Sequence, residues 1–395
     1  MSFHGLVNLV KSVQAELMNV KATPGSILIG SLSLIGLLTV AKYQLSFMNL
    51  LFCFSPLSKP FKISLGSLKG NLLLKQKDRQ GGEKDQKTPA TKNSSSWAII
   101  TGPTNGIGKE FAIELSKAGF NLFLIGRNPN KLTSLQDELM KVNPTIEVEI
   151  ETIDLSDNNP RDRGEEKDSG SVAIQEQTQS KEWKKILEKL KQISSRSNIS
   201  ILINNAGLSH SEPIEFQMND LDQDINSLLN VNVFSVLYLT KLVLPFMLPY
   251  KKGLILNVGS FSALIPTPLL STYAGSKGFL YTWSQALGTE LEPRGIDVKL
   301  LNTYFVASEM SKIKKASFLI PTPNAYVKQV LNNLISTNSK PFITTGYFSH
   351  SLLEFFLDHF GSLKFWLKFN LNMQRSIVKR IQKKKQRIQQ QQSKN

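Results

Sequence analysis

A tyrosine and a lysine four residues apart are the side chains best suited to chemistry in this sequence. Tyr273 and Lys277 would share one face of a helix, where an ammonium stabilises a phenolate and so lowers the pKa of the phenol. A phenol of lowered pKa can act as a general acid at neutral pH. Ser260 lies thirteen residues before Tyr273, at the end of a predicted strand, and its hydroxyl could donate to an oxygen on which negative charge develops. Each feature alone is equally typical of a surface pair or an ordinary strand end.

A glycine-rich turn upstream predicts the cofactor for this chemistry. The segment WAIITGPTNGIG, residues 97–108, reads as a buried strand, a turn and the start of a helix. Its three glycines let backbone N–H groups and a helix N-terminus approach a pyrophosphate, where a Cβ would obstruct them. A tight turn without a ligand is the alternative, but the strand before it and the helix after it favour a dinucleotide site. The residues expected to contact the cofactor here are Gly102, Thr104, Asn105, Gly106, Ile107 and Gly108.

The second predicted strand indicates which dinucleotide binds. FNLFLIG, residues 120–126, is followed by Arg127, where an NAD-binding chain would carry an acidic residue for the ribose 2′-OH. A guanidinium suits a 2′-phosphate, so NADPH is the expected cofactor, although a solvated surface arginine is the alternative. The third predicted strand ends at Asp154, which we expect to contact the adenine through its side chain or its backbone.

Four motifs in order, TGPTNGIG, NNAG, Ser260 and YAGSK, resemble the short-chain dehydrogenase/reductase family over about residues 97–310. The resemblance implies an α/β fold, a doubly wound Rossmann-type parallel sheet. It also implies that Ser260 and Tyr273 bind the substrate carbonyl, that Lys277 bonds the nicotinamide ribose, and that Asn232 holds a water feeding protons to Lys277. The further cofactor contacts that it implies are Asn205, Ala206, Gly207 and Val306.

The sequence departs from the family pattern at two places. Asn105 stands where many NADPH-preferring relatives have a basic residue, so Arg127 must carry the preference alone or with Lys109. Thr303 and Tyr304 replace the common Pro-Gly after a late strand, which affects the expected nicotinamide contact at this loop.

Two longer segments, residues 258–296 and 304–315, resemble the membrane-bound very-long-chain 3-oxoacyl-CoA reductases of fungal fatty-acid elongation. This implies NADPH-dependent reduction of a 3-oxoacyl-CoA to a 3-hydroxyacyl-CoA, with other elongation components as partners. Reduction of a steroid or sphingoid ketone is an alternative, because the catalytic set addresses only the carbonyl. A non-catalytic elongation scaffold is a second alternative, but a scaffold would not need an intact catalytic set.

The composition excludes several classes of protein. A chain of 395 residues, 41% hydrophobic and 20% charged, suits one globular domain with appendages. One cysteine, Cys53, and four scattered histidines are too few for a disulfide framework or a zinc site, so no metal is expected. Half of the net charge of +16 lies in Arg375–Asn395, which has eight basic and no acidic side chains. Because this tail has no aromatic residue to stack on bases, nucleic acid is not an expected partner.

An uncharged segment near the N-terminus predicts a membrane anchor. Residues 24–41 would form a helix about 27 Å long, close to the thickness of a bilayer core. A buried soluble helix and a cleaved signal peptide are the alternatives, and the long polar stretch before the segment disfavours the latter. Lysines are more frequent after the segment, at Lys42, Lys59, Lys62 and Lys69, which places the catalytic part in the cytosol. We expect a single-pass protein of the endoplasmic reticulum membrane, an address that only the resemblance implies.

The chain is expected to divide into five parts. These are an N-terminal region 1–60 with an anchor at about 24–46, a charged tether 61–96, a catalytic domain 97–310 with a polar insertion 156–180, a substrate-side region 311–350, and an amphipathic interfacial helix with a basic tail, 351–395. On one helix over 351–370 the four charged residues would fall within about 120° and leave an apolar face for the membrane. Packing of that helix on the core or on a partner protein is the alternative.

Overall fold

A parallel sheet of seven strands lies at the centre of the structure, a computed structural model. It describes residues 8, 11–12, 24–55, 95–157, 180–334 and 342–392, and for the first helix it gives side chains from Ser31 onward. Most of the predicted tether and most of the predicted insertion, residues 61–94 and 158–179, lie outside the described residues, as do the last three residues.

The strand order confirms the doubly wound fold. In chain order the described strands are β1 Trp97–Thr101, β2 Asn121–Gly126, β3 Val148–Thr152, β4 Ile199–Asn204, β5 Gly253–Val258, β6 Ile296–Leu301 and β7 Ile343–Thr344. They are hydrogen-bonded in the order β3-β2-β1-β4-β5-β6-β7. The order therefore reverses between β1 and β4, the switch point at which such sheets bind ligands beyond the carboxyl ends of their strands.

Helices cover both faces of this sheet. The helices are α1 Pro24–Phe54, α2 Gly106–Lys117, α3 Pro129–Val142, α4 Lys181–Arg196, α5 Ser235–Met247, α6 Ser271–Leu291, α7 Pro323–Asn332, α8 Phe348–His359 and α9 Leu363–Gln392. Along β1, Ala98 and Ile100 join the core under α2, α3 and α7, whereas Trp97 and Ile99 join the core under α4 and α5. Burial on both faces explains why the strands are continuous apolar runs rather than alternating ones.

Three strands end earlier than the sequence predicts. β3 ends at Thr152, β4 at Asn204 and β5 at Val258, so Asp154, Gly207 and Ser260 lie in the loops that follow. The last ladder pairs of β4 and β5 are at their final residues, although Gly259 N and Phe261 N still donate to the carbonyl oxygens of Leu301 and Thr303. These loops converge at the switch point.

The first helix is longer than the expected anchor and has two halves. It has 31 residues, which corresponds to about 46 Å, and most side chains from Ser31 to Val40 are exposed. From Tyr43 onward it packs against α8, with Phe47 and Phe355 ring centroids 5.5 Å apart. By length and composition the segment Ser31–Phe54 could cross a membrane. A second apolar stretch, Leu221–Tyr250, passes the same test but is half buried and belongs to the core.

A helical C-terminal region is confirmed, but the expectation of one helix over residues 351–370 is wrong. α8 ends at His359 and α9 begins at Leu363, because Gly361 between them adopts a left-handed φ of +80°. Glu354 and Asp358 therefore lie on a different helix from the two lysines, and the four charges share no face. Part of α9 packs on the catalytic domain, where Gln374 is buried.

A glycine in α6 generates a test of the packing at the edge of the sheet. A Cβ on Gly288 would lie 2.5 Å from two ring atoms of Phe342, just before β7. We expect Gly288→Ala to lower the free energy of unfolding by about 1–3 kcal/mol in urea titrations of the detergent-solubilised protein, because the ring must move. Gly278→Ala on the same helix is the control, since nothing lies within 4 Å of its Cβ, and it should not destabilise. Equal effects of the two variants would contradict this packing.

Candidate active site at the carboxyl edge of the sheet

The glycine turn between β1 and α2 is shaped by close backbone approaches. Gly102 has a φ of +62°, and a Cβ there would lie 3.0 Å from Ala206 Cα. A Cβ on Gly108 would lie only 2.3 Å from the Gly102 carbonyl oxygen. Any larger residue at either position would push the turn away from β4, so the sequence requirement for glycine has a steric cause.

The start of α2 offers hydrogen-bond donors to a ligand. The side chain of Asn105 caps the helix by accepting from Gly106 N at 2.6 Å. The next N–H groups, of Ile107 and Gly108, belong to the first turn, where a helix has no acceptor of its own, and the helix dipole favours an anion there. Thr104 lies in the turn between the first two glycines. The predicted cofactor residues of this segment are therefore adjacent to one another.

The ends of β1 and β4 are joined by hydrogen bonds that hold the turn in place. Asn205 Nδ2 donates to the carbonyl oxygens of Thr101 at 2.9 Å and Gly102 at 3.0 Å. Thr101 Oγ1 in turn accepts from the N–H groups of Asn205 and Ala206. Sequence reasoning missed Thr101, whose only signal is its place as the last residue of the strand before the turn.

The structure brings Ser260 and Tyr273 close to each other. Ser260 follows β5 and caps a short helical turn by accepting from Ser262 N at 3.1 Å, while Tyr273 lies in the first turn of α6. The two side chains lie close enough for the Ser260 hydroxyl to lower the pKa of Tyr273 in part. One carbonyl oxygen can therefore meet both hydroxyl groups.

The expected lowering of the Tyr273 pKa is wrong. Burial raises the pKa of Tyr273, and the hydrogen bond with Ser260 opposes that rise only in part. The ammonium of Lys277 lies 6.0 Å from the centroid of the Tyr273 ring and donates to the Val258 carbonyl oxygen at 2.9 Å. Desolvation therefore outweighs any charge effect, and Tyr273 stays a neutral phenol that retains its proton.

Burial perturbs Lys277 as well. Its side chain is only 5% exposed, and burial lowers the pKa of its ammonium to about 8, because a desolvated cation is disfavoured. Its Nζ and Asn232 Oδ1 each lie 3.7 Å from the position that a Cβ on Gly207 would take. The absent side chain of Gly207 thus leaves space that both groups face.

Asn232 lies in a π-helical turn, Asn230–Phe234, before α5. Its Nδ2 donates to the Leu208 carbonyl oxygen at 2.8 Å and to Ser276 Oγ at 3.0 Å, while its Oδ1 accepts from Leu208 N at 2.8 Å. Ser276 donates onward to the Tyr273 carbonyl oxygen, a connection that sequence reasoning missed although Ser276 lies within YAGSK. Both side-chain N–H bonds of Asn232 are used in holding α6 and the loop after β4.

The groups expected around the adenine and its ribose lie at the ends of β2 and β3. Arg127 is exposed directly after β2 and forms no ion pair with any residue that the structure describes. Lys109, its suggested helper, is instead paired with Glu138 at 2.8 Å. Asp154 Oδ1 accepts from the N–H and the hydroxyl of Ser156, so one carboxylate oxygen is occupied by a local turn.

The loop after β6 covers the glycine turn. Val306 is buried, and the Cβ of Ser308 lies 3.5 Å from the position of a Cβ on Gly106. Sequence reasoning did not assign Ser308, for which only its place two residues after Val306 is a signal. Where relatives have Pro-Gly, Thr303 Oγ1 is hydrogen-bonded to the Tyr326 hydroxyl at 2.8 Å, which ties this loop to α7.

The buried His350 connects α8 to the same side of the site. Its Nδ1 faces the Tyr304 N–H at 3.4 Å and its Nε2 faces the Leu319 carbonyl oxygen at 3.1 Å, so Nε2 carries the hydrogen. Burial lowers the pKa of His350 to about 4. It is therefore neutral at physiological pH, and it holds α8 against the loop after β6.

Residues 96–164 and 164–317 match the family model for short chain dehydrogenases, and the chain belongs to this family of oxidoreductases. It is 37% identical over 297 residues to a very-long-chain 3-oxoacyl-CoA reductase of Aspergillus terreus, covering 74% of this chain and 77% of that protein. A protein of the same name from Coccidioides immitis is 39% identical over 294 residues, covering 73% and 77%. A short-chain dehydrogenase from Sphingobium yanoikuyae, solved in complex with NADPH, shares the fold with a TM-score of 0.50, 23% identity and coverage of 63% and 87%. The resemblance read from the motifs is confirmed.

The pKa of Lys277 predicts a pH dependence of stability. Its ordinary value is 10.5 and its value in the fold is about 8, so between these the unfolded chain binds a proton that the folded chain does not, and stability rises with pH. We expect the free energy of unfolding of the ligand-free protein, relative to that of Lys277→Met, to increase by up to about 3 kcal/mol between pH 8 and 10.5. Urea titrations of both proteins across this range measure it. A difference that does not vary with pH would show that Lys277 is not desolvated.

Proposed function

We propose that the protein reduces very-long-chain 3-oxoacyl-CoA to 3-hydroxyacyl-CoA with NADPH, as a step of fatty-acid elongation at the endoplasmic reticulum membrane. One observation carries this proposal. The chain is similar over about three quarters of its length to reductases of that name, and its fold brings four expected catalytic residues to one site: Ser260, Tyr273, Lys277 and Asn232. A scaffold would have no use for a desolvated lysine beside a tyrosine.

The cradle fits a dinucleotide. The glycine turn leaves no room for a Cβ at Gly108, and the first N–H groups of α2 face the place of a pyrophosphate. Arg127 would hold the 2′-phosphate. Asp154 would contact the adenine side and Val306 the nicotinamide side. The riboses would be lined by Asn205, Ala206, Gly207 and Lys277. When bound, NADPH supplies a hydride, that is, a proton together with two electrons, to the carbonyl carbon.

Tyr273 and Ser260 act on the carbonyl oxygen. Both hydroxyl groups donate to it, and as negative charge develops there Tyr273 transfers its proton, so that a secondary alcohol results. A phenol of raised pKa is fully protonated at neutral pH and is therefore a ready donor to an alkoxide, a far stronger base. Lys277, with a pKa of about 8, returns a proton to Tyr273. Because the side-chain N–H bonds of Asn232 are used within the protein, its main-chain carbonyl would hold the water that replenishes Lys277.

α1 supports the proposed placement at a membrane. The uncharged residues 24–41 of α1 have about the length of a bilayer core, and most side chains from Ser31 to Val40 are exposed. The lysines that follow this segment favour a cytosolic catalytic domain. A single spanning helix, with the endoplasmic reticulum as its membrane and other elongation enzymes as partners, fits a substrate whose acyl chain is held in lipid.

Removal of one hydroxyl group tests the reaction. In membranes that contain the full chain, Tyr273→Phe should lower NADPH-dependent reduction of a long-chain 3-oxoacyl-CoA at least about 10²-fold, because the proton donor is lost. Tyr250→Phe, which removes a hydroxyl before β5 at the opposite edge of the sheet, should leave it unchanged. Steroid and sphingoid ketones serve as comparison substrates for the wild type. Undiminished turnover by Tyr273→Phe would refute the mechanism, and faster reduction of another ketone would refute the substrate.

A second substitution tests the choice of cofactor. We expect Arg127→Ala to raise the KM for NADPH roughly 10- to 100-fold, because a charged hydrogen bond to the 2′-phosphate is lost, and to change the KM for NADH little. Arg294→Ala removes an exposed charge at the opposite edge, before β6, and should affect neither. Initial-rate kinetics with both cofactors measure the effect. Equal increases for NADPH and NADH would remove Arg127 from the 2′-phosphate site.

A further inference from the structure

We propose that the turn between α8 and α9 is a second membrane contact, inserted at the headgroup level of the bilayer that α1 spans. The proposal rests on the proposed placement of α1 in a membrane. We call this surface the aromatic corner, and it consists of Phe356, Phe360, Leu363, Phe365, Trp366 and Phe369. Neither the reaction nor the cofactor site uses any of these residues.

The aromatic corner is a continuous apolar surface. Phe360, Leu363 and Phe365 are 53–56% exposed, and ring contacts connect the corner, with centroids 5.5 Å apart for Phe356 and Phe360 and 5.0 Å for Phe365 and Trp366. A contiguous exposed apolar patch of this kind marks a place of contact with a membrane or a partner rather than with water.

The packing of α8 on α1 sets the depth of the corner. Phe348 at the start of α8 contacts Phe54 at the end of α1, and His359 at the end of α8 contacts Tyr43, with ring centroids 5.4 and 5.0 Å apart. The two helices are therefore antiparallel, and α8 runs back toward the membrane. Tyr43 comes directly after Lys42, the first charge beyond the uncharged segment. Phe356 and Phe360 of the corner lie on either side of His359 in the sequence, so the corner lies where α1 leaves the hydrocarbon.

A side-chain hydrogen bond closes the turn between the two helices. Trp366 Nε1 donates to the Phe360 carbonyl oxygen at 2.8 Å, and a Cβ on Gly361 would lie 2.9 Å from the same nitrogen. The exposed Lys364 and Lys368 lie among the aromatic residues, where long basic side chains can reach lipid phosphates. Trp, Phe and Lys together are the composition of a membrane interface.

Charge favours lipid over a second copy of this strongly basic chain. From Gly361 to Gln392 there are nine lysines and arginines and no acidic residue, so this surface would repel its own copy and attract an anionic leaflet. Farther along α9, Asn370 Nδ2 faces the carbonyl oxygens of Ile265 and Pro266 at 3.4–3.5 Å, in the loop after Ser260. The corner thereby holds the substrate side of the active site next to the bilayer, where an acyl chain would enter.

Depth-dependent quenching of a fluorescent label tests this proposal. The full chain with Cys53→Ser, which removes the only cysteine, is reconstituted in phosphatidylcholine–phosphatidylserine nanodiscs and labelled with nitrobenzoxadiazole at Phe365→Cys or, independently, Leu363→Cys. Leu38→Cys in α1 is the deep control, and Met140→Cys in α3, also exposed, is the aqueous control. Turnover of each unlabelled variant shows that it is folded.

We expect the emission of the corner labels to shift to shorter wavelength and to lose intensity with a spin label near the headgroup. The Leu38 label should lose intensity with a spin label deep in the acyl chains. The Met140 label should respond to neither spin label. If the corner labels behave like the Met140 label while the Leu38 label is quenched, the corner proposal fails and the anchor stands. If the Leu38 label also escapes quenching, both membrane proposals fail, whereas reductase activity remains an independent result. Corner labels shielded from water but insensitive to both lipid quenchers would overturn the proposal in favour of a protein partner.

Discussion

An ammonium held out of water is the constraint on which the rest of the site depends. Lys277 is buried, and among the described residues it pairs with a backbone carbonyl rather than with a carboxylate, an arrangement that opposes its own charge. This arrangement arises because α6 carries the lysine and Tyr273 on one face, directly opposite the end of β5. The result is a neutral phenol beside an amine that exchanges its proton close to physiological pH, which are the two properties that proton delivery to a carbonyl oxygen requires.

Every other part of the site positions ligands around that pair. Asn205 and Thr101 hold the ends of β1 and β4 together, which fixes the glycine turn, and Asn232 reaches α6 through Ser276. These side chains have no chemistry of their own, yet each makes at least two hydrogen bonds inside the protein. A site built this way is rigid at its base, and its exposed members, Arg127 above all, are free to meet a ligand.

The fold and the constellation could be predicted from the sequence because both depend on local patterns. Apolar runs between glycine turns predict parallel strands, and a spacing of four predicts a shared helix face. The pKa of Tyr273 could not be predicted, since the sequence shows a charged neighbour but not how much water is lost. The break at Gly361 was missed for a similar reason: a glycine among Phe and Leu is compatible with a helix. In the structure the left-handed turn is accompanied by the hydrogen bond from Trp366 Nε1 and by the cap that Ser362 provides for α9. Strand ends were misplaced because they depend on where a neighbour stops pairing.

The docking of α8 on α1 joins the two ends of the polypeptide and so imposes an order on its biogenesis. The second half of α1 leaves the ribosome about 300 residues before its partner does, an interval of roughly 15–60 s at ordinary rates of translation. During that time Ser46, Asn49 and Cys53, which line the joint with α8, have no protein to face. A nascent chain truncated before α8 would therefore leave the α8-binding face of α1 accessible to quality-control factors. That face becomes covered only after α8 has been translated.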